Sequence, residues 1–295
     1  VFALDPDGSM VKIFNADEPI DKTLMSKHVR LSNGVFYVNK LDRLRMVDHL
    51  SAELMARLDD KDLNPDEQIQ AAESNHQLLS QKLVSLGITE ETIQLARKGM
   101  NSMAANAKRY PKLGPLLKRM LENETGYHFR HTQIVTYIAL QIVHNIDWGT
   151  PEQEEKITFI AFFHDIALAT EEQARIKSKE ELRTSTLDPK ARELVEKHAQ
   201  IAAELVHKYP HAPMGADQII RQHHGVLNGV GFSDHFGANL SPMVLVFLVA
   251  EEYTRIILAQ EKQPLDSKQL IRELRESFTS NRLQKIIDLV EHIAL

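Results

Sequence analysis

The histidines of this chain are concentrated in one stretch of the sequence. Nine of the 14 lie between His128 and His224, in a chain of 295 residues that has no cysteine. Imidazole and carboxylate groups together suit iron, manganese or zinc. The lack of cysteine excludes thiolate zinc sites, cysteine-ligated iron–sulfur clusters, disulfides and a cysteine nucleophile. A metal site in this chain would therefore use nitrogen and oxygen donors.

Several of these histidines lie at positions where an ordinary core or surface residue is not expected. His164 and Asp165 follow the apolar run of residues 157–163, where burying them is costly unless both are ligated or hydrogen-bonded. His198 lies in the middle of a predicted helix, and His223 and His224 precede a glycine-bearing loop. A structural hydrogen bond would explain His164 and Asp165 alone equally well. The recurrence on successive helices favours a metal centre, in which Asp165 could bridge two ions.

A further set of candidates lies on one predicted helix. Glu124 and His128 are four residues apart and His131 is three further on, so all three can face one way. Spacing alone does not decide which of the two histidines would join the centre.

Helix signals dominate the chain after its first 40 residues. Apolar residues recur at helical spacing, and cap–proline pairs are found at Thr150-Pro151, Asp188-Pro189 and Ser241-Pro242. The first residues instead contain short apolar or alternating runs at 2–4, 10–14 and 35–38, typical of strands. We therefore predict a mainly α protein: a small α/β module over residues 1–60, a helical connector over 61–114 and an all-helical domain over 115–295. The module would be regulatory, dimer-forming or a structural cap, and the apolar faces of the connector could support a homodimer.

Composition and charge restrict the environment and the partners. The formal net charge of -6 argues against a nucleic-acid polymer held by bulk electrostatics. The most apolar stretch, residues 243–250, is far shorter than the ~20 residues of a membrane span. The start of the sequence does not resemble a signal peptide. We expect a cytoplasmic protein without a membrane partner.

The order of these residues resembles the HD superfamily of metal-dependent phosphohydrolases, and more narrowly its HD-GYP branch, whose members hydrolyse cyclic di-GMP. The matching segments lie within residues 122–258 and read ETGYHFRHTQ, FFHDIA, KHAQIA and QHHGVLNGVGF. The first segment is similar to the ETGxHxxRTQ stretch of the family, which favours His128 over His131 as a ligand. A catalytically weak member would instead bind a nucleotide and signal through a protein partner.

The resemblance implies a centre of two or three divalent ions, with iron expected before manganese. The ligands that it implies, with Asp165 and His164 also as catalytic groups, are His128, His164, Asp165, His198, His223, His224 and Glu251. Glu124 corresponds to a carboxylate that supports a third ion in some members. Glu251 stands where the family has aspartate, and Glu252 and His131 are secondary candidates. The glycine-bearing loop corresponds to the substrate-facing motif, which implies contacts to substrate from Asn228, Gly229, Gly231 and Phe232.

The departures from the family concern the groups that would face the substrate. Leu168 replaces the lysine of the HDxGK motif, and Phe232-Ser233 replaces Tyr-Pro of the GYP motif. Between the HD pair and His198, basic residues alternate with glutamates, which favours a solvated surface over a phosphate site. These basic residues are Arg175, Lys177, Lys179, Arg183 and Lys190. Despite these departures, the resemblance implies a cyclic di-GMP phosphodiesterase. A catalytically weak nucleotide receptor and a hydrolase of another phosphate ester are alternatives.

Overall fold

The computed structural model describes residues 1–4, 8–15, 21–31, 35–39, 42–60, 62–233 and 239–293. The chain separates into two compact units, Val1–Glu53 and Leu54–Leu295. The connector and the helical domain predicted from the sequence therefore lie in one unit, and the three-part division stays a prediction.

The first unit contains a small antiparallel pair of strands. β1 (Phe2–Leu4) pairs with β2 (Met10–Lys12), with Ala3 opposite Val11. An isolated bridge joins Phe2 to Tyr37. The helix α1 (Lys22–Leu31) follows the strands, and α2 (Arg43–Asp59) begins in this unit. The prediction of a mainly α protein with a small N-terminal α/β module is confirmed.

Helices are the only regular elements among the described residues of the second unit, and this unit carries every candidate site residue. Its first helices are α3 (Pro65–Leu86), α4 (Glu90–Arg109), α5 (Leu113–Glu122), α6 (Tyr127–His144) and α7 (Pro151–Phe163). Two short helices, α8 (Glu171–Ala174) and α9 (Lys179–Thr184), follow α7. The remaining helices are α10 (Pro189–His207), α11 (Ala216–Arg221), α12 (Pro242–Ala259), α13 (Ser267–Ser277) and α14 (Asn281–Val290).

Local capping chemistry starts these helices where the sequence predicts. The side chains of Thr150, Asp188 and Ser241 accept hydrogen bonds from backbone N–H groups in the first turns of α7, α10 and α12, and each is followed by proline. Such caps satisfy donors that the helix itself leaves unpaired. The helix boundaries around the candidate site are thus fixed by local sequence.

The helix α6 forms the centre of the second unit. It packs against α7, α12 and α4, and 15 of its 18 residues are buried. Since α6 has apolar neighbours on several sides, a polar side chain on it has to find its partner inside the protein. No helix among the described residues is both long and apolar enough to cross a membrane.

Candidate metal centre

Five helices supply the side chains of one buried cluster. His131 lies on α6 and Glu251 on α12, while His164 and Asp165 directly follow α7. His198 lies on α10, and His223 and His224 follow α11. The side chains of His131, His164, Asp165, His198 and His223 are each at most 2 % exposed. The cluster is therefore assembled from residues up to 120 positions apart and is shielded from water.

One half of the cluster contains two imidazoles and two carboxylates. Nε2 of His131 lies 3.3 Å from Nε2 of His164 and 3.2 Å from Oε1 of Glu251. Nε2 of His164 lies 2.7 Å from the same Glu251 oxygen. Oδ2 of Asp165 is 3.3 Å from His164 and 3.5 Å from His131. Donor atoms of His131, His164 and Asp165 are close enough together to hold one ion.

The other half contains three imidazoles around the second oxygen of Asp165. Oδ1 lies 3.2 Å from Nε2 of His198 and 3.6 Å from Nε2 of His223. Nε2 of His198 is in turn 3.2 Å from Nε2 of His223 and 3.0 Å from Nε2 of His224. These four residues form a second set of converging donors, and Asp165 belongs to both sets. A carboxylate that offers one oxygen to each set is suited to bridge two ions.

The outer nitrogens of three rings are held by the backbone in the same way. Nδ1 of His164, His198 and His223 each donates to the carbonyl three residues earlier, at 2.8, 2.5 and 2.6 Å. Such a bond places the ring proton on Nδ1 and leaves the lone pair of Nε2 directed into the cluster. Lone pairs that face one another at about 3 Å repel unless a cation lies between them. In addition, Oδ1 of Asp165 is buried and accepts no hydrogen bond from the described residues. The donor set therefore fits divalent cations.

The electrostatics of the cluster keep His223, His224 and Asp165 in the forms that bind metal, whereas His164 is held protonated. Burial lowers the pKa of His223 to about 4 and that of His224 well below its ordinary value, so both rings are neutral. Burial alone would raise the pKa of Asp165, but the charges of His164 and Lys177 outweigh it and hold the pKa well below its usual range. Asp165 and Glu251 overcome the effect of burial on His164 and raise its pKa to about 10. A bound cation would replace that proton between the same carboxylates.

Lys177 enters the cluster from the segment between α8 and α9. Its Nζ lies 2.7 Å from Oδ2 of Asp165 and 3.1 Å from Nε2 of His131, and its side chain is 6 % exposed. The sequence-based prediction of a solvated position is therefore wrong for this residue. Its basic neighbours Arg175, Lys179, Arg183 and Lys190 are exposed. Alternating charges in the sequence indicate an exposed local surface. They cannot show that one lysine contacts an aspartate 12 residues earlier.

Of the two candidate histidines on α6, the one that lies in a donor set is not the one that the family motif favours. His131 lies inside the donor set, whereas His128 packs edge-on against His76, with ring centroids 5.0 Å apart. Nε2 of His128 has no hydrogen-bond partner among the described residues. Glu124 is an exposed turn residue with φ of 52° and belongs to neither donor set. The packing of α6 directs residue 131, and not residue 128, toward α7 and α12. Which of the two histidines binds metal stays a prediction.

The glycine-bearing loop is held against α10 by its backbone. Gly229 accepts a hydrogen bond from Gln200 N at 3.2 Å, and Gly231 N donates to Glu196 O at 2.7 Å. Asn228 is exposed, and its Oδ1 accepts from Val230 N within the turn. Of the four predicted substrate contacts, Phe232 is the one whose ring packs on the cluster, 4.5 Å from His224. The structure gives the other three a role in shaping the loop, and their contact with substrate stays a prediction.

A small cavity adjoins the cluster. Its volume is about 80 Å³, and its polar lining includes Lys177, His224, Glu251, Glu252 and Arg255. Glu252 does not contact the donor sets, since its carboxylate accepts two hydrogen bonds from Arg255, at 2.7 and 2.8 Å. Leu168, which occupies the position of the family lysine, is 1 % exposed in the core. The basic side chains at this cavity, Lys177 and Arg255, therefore come from other positions in the chain than the family lysine.

Comparisons with known proteins agree with the fold. The family model described as "HD domain" matches residues 128–294, more than half of the chain. A solved structure with a similar fold is Bd1817, an HDG"Y"P protein from Bdellovibrio bacteriovorus. It shares 16% sequence identity over 86% of this chain and 82% of its own, with a TM-score of 0.52. No curated protein sequence matches the chain.

Proposed function

The chain belongs to the HD domain family, and from that premise we propose that it is a metal-dependent phosphodiesterase acting on cyclic di-GMP. The coarser statement, a metal-dependent HD phosphohydrolase, rests on the family and on the buried His/Asp donor sets. The finer one, the cyclic dinucleotide, is supported by the motif resemblance of residues 124–133 and 222–232 and by the fold of the HDG"Y"P protein.

One observation carries the proposal: two sets of converging donors share Asp165. We assign His131, His164, Asp165 and Glu251 to one ion, and Asp165, His198, His223 and His224 to the other. Five imidazoles and two carboxylates suit iron or manganese, and we propose iron as the resident metal. Divalent ions in such a pair stabilise charge on phosphoryl oxygens and lower the pKa of water, which supplies the nucleophile for hydrolysis.

The residues of the chain contribute position and charge to this reaction. Asp165 holds the two donor sets in register, and the Nδ1–carbonyl bonds of His164, His198 and His223 fix each ring before any ligand binds. Phe232 covers the ring of His224 and limits access of water on that side. Lys177 brings a permanent positive charge to the cavity, since Asp165 and Glu251 raise its pKa despite burial.

A second candidate function is a nucleotide receptor with weak activity. Two features favour it. The buried Leu168 replaces the family lysine, and the cavity beside the donors has a volume of only about 80 Å³. Such a protein would signal through a protein partner, as a monomer or as a homodimer. A third candidate function is hydrolysis of a smaller phosphate ester at the same cavity. In each case we propose a cytoplasmic location.

The test is anaerobic purification, metal counting and product analysis with cyclic di-GMP and a panel of mononucleotides. Linear dinucleotide or GMP, formed by the loaded wild-type protein and absent with Asp165→Ala, supports the phosphodiesterase. Binding of cyclic di-GMP without product supports the receptor. Preferential turnover of a mononucleotide supports a hydrolase of a smaller phosphate ester. A His164→Ala protein that keeps its full metal content would contradict the metal centre itself.

A further inference from the structure

Two cationic side chains reach the cavity beside the donor sets from different parts of the chain. Lys177 comes from the segment between α8 and α9, and Arg255 comes from α12. Both line the cavity together with His223, His224 and Glu251. The described residues thus place two permanent positive charges where a ligand of the centre would enter.

The position of Arg255 follows from the periodicity of α12. It lies four residues after Glu251, so both side chains project from the same face of the helix, one into the cluster and the other toward its opening. Glu252 accepts from Nε and one terminal nitrogen of the guanidinium, at 2.8 and 2.7 Å. Glu252 is itself held by Ser277, whose Oγ donates to it at 2.6 Å. The guanidinium is therefore fixed in orientation, and its other terminal nitrogen makes no hydrogen bond to the described residues.

The position of Lys177 is less rigid. Its ammonium is bound to Asp165 and His131, which are also donors of the proposed centre. Divalent cations at those donors would repel an ammonium, and the four-carbon stem of lysine allows Nζ to turn into the adjoining cavity. Two carboxylates among the described residues line the cavity: Glu251, which would itself be bound to metal, and Glu252, which is paired with Arg255. An anion in the cavity is the remaining partner for Lys177.

The size of the cavity restricts which part of an anion can enter. About 80 Å³ is room for a few water molecules and far below the ~300 Å³ that small-molecule pockets usually offer. A phosphoryl group suits this volume and the two charges, since arginine pairs with phosphate in a fixed planar geometry.

We propose that Lys177 and Arg255 together bind the phosphoryl group of the substrate, in place of the lysine that Leu168 replaces, and that Glu252 positions Arg255. The inference rests on the proposed function, because it takes the substrate to be a phosphate ester. It assigns these residues a task that neither the family motif nor the sequence pattern gives them.

The test measures binding of inorganic phosphate to the metal-loaded full chain by titration calorimetry, without any turnover. We expect Lys177→Met and Arg255→Met each to weaken phosphate binding about tenfold or more, as removal of one charge-assisted hydrogen bond does. Lys179→Met is the matched control, since it removes one positive charge from an exposed position of the same segment. Its affinity should stay within about twofold of the wild type.

The outcomes separate this inference from the proposed function. If Lys177→Met and Arg255→Met bind phosphate as the wild type does, or if the wild type binds none, the inference is wrong even if cyclic di-GMP is hydrolysed. If both variants lose phosphate binding but the wild type hydrolyses no cyclic dinucleotide, the inference holds and the proposed substrate fails. Metal counting accompanies each variant. A loss of metal in Lys177→Met, and again in Lys177→Gln, would mean that Lys177 supports Asp165 and not the phosphate.

Discussion

Nε2 of His131 lies 3.3 Å from Nε2 of His164, and neither residue is exposed to solvent. The two rings come from α6 and from the end of α7, and a single oxygen of Glu251 lies within 3.2 Å of both nitrogens. Two imidazole nitrogens and a carboxylate oxygen converging at this distance suit a cation, either the proton that His164 holds or a metal ion. This contact makes His131 the first histidine of the proposed centre.

The first prediction compares the two histidines of α6. We expect His131→Gln to lose about one equivalent of metal per chain, since it removes a donor of one set, and His128→Gln to keep the wild-type content. Metal analysis of both purified proteins checks this. Loss of metal in His128→Gln with full content in His131→Gln would restore the ligand that the family motif favours.

The second prediction concerns Asp165, which both donor sets share. Asp165→Asn keeps the shape of the side chain but removes its charge, so we expect it to bind neither ion. A ligand present at about 100 times its Kd stabilises a protein by about 2.7 kcal/mol, which for a unit of this size raises Tm on the order of 5–10 °C. Thermal unfolding with and without a chelator should show this shift for the wild type and none for Asp165→Asn. An equal chelator effect on both proteins would contradict the bridging role.

The third prediction separates the two neighbouring glutamates of α12. Glu251→Gln should lower metal content, because it weakens the set that contains His131 and His164. Glu252→Gln should keep the metal but weaken binding of inorganic phosphate several-fold, because Arg255 loses its bidentate partner. Metal analysis and phosphate calorimetry on the two variants give opposite patterns if this is correct. The same pattern in both would show that the two carboxylates act as one group.

The fourth prediction concerns the loop after His223 and His224. Gly229 has φ of 74°, and an added Cβ would lie 3.0 Å from the carbonyl oxygen of Arg221 and 3.2 Å from Gln200 N. Gly231 has a similar φ of 76°, but an added Cβ would meet nothing within 4 Å. In both alanine variants the left-handed backbone conformation destabilises the folded state by about 1 kcal/mol. In Gly229→Ala the new Cβ also clashes with backbone atoms. Denaturant unfolding should therefore show a larger loss for Gly229→Ala. Equal losses would mean that the loop moves away from α10 without cost.

The fifth prediction concerns the packing of α7, which carries His164 and Asp165 at its end. A Cβ on Gly99 would lie 2.5 Å from Nδ2 of Asn75 and 2.8 Å from the ring of Phe162. Gly99→Ala should therefore reduce the free energy of unfolding by about 1–3 kcal/mol, as overpacking of a core does. Asn101→Ala, at an exposed position of the same helix α4, is the control and should be neutral or slightly stabilising. A stabilised Gly99→Ala would indicate that α4 and α7 separate easily.

Local sequence already contains most of the helical frame and the chemical type of the site. The caps at Thr150, Asp188 and Ser241 act on the helices that they precede, so neighbouring residues suffice to predict them. The local sequence singles out His164 and Asp165, because polar residues after an apolar stretch need a partner inside the protein. His198, His223 and His224 follow from their recurrence on successive helices, and Glu251 from the family resemblance.

Tertiary structure decided what depends on the rotation and packing of whole elements. Residues three apart on α6 face nearly the same way, so helical periodicity allows either His128 or His131, and only the packing of α6 against α7 and α12 brings His131 to His164. The contact of Lys177 with Asp165 could not be predicted from the sequence either, because it depends on the path of the chain through α8. The sequence by itself determined which donors the protein has and on which helices they lie. Packing between distant helices decided which of them meet, because α6 is buried on nearly all sides and the pattern of its own residues does not mark one inward face.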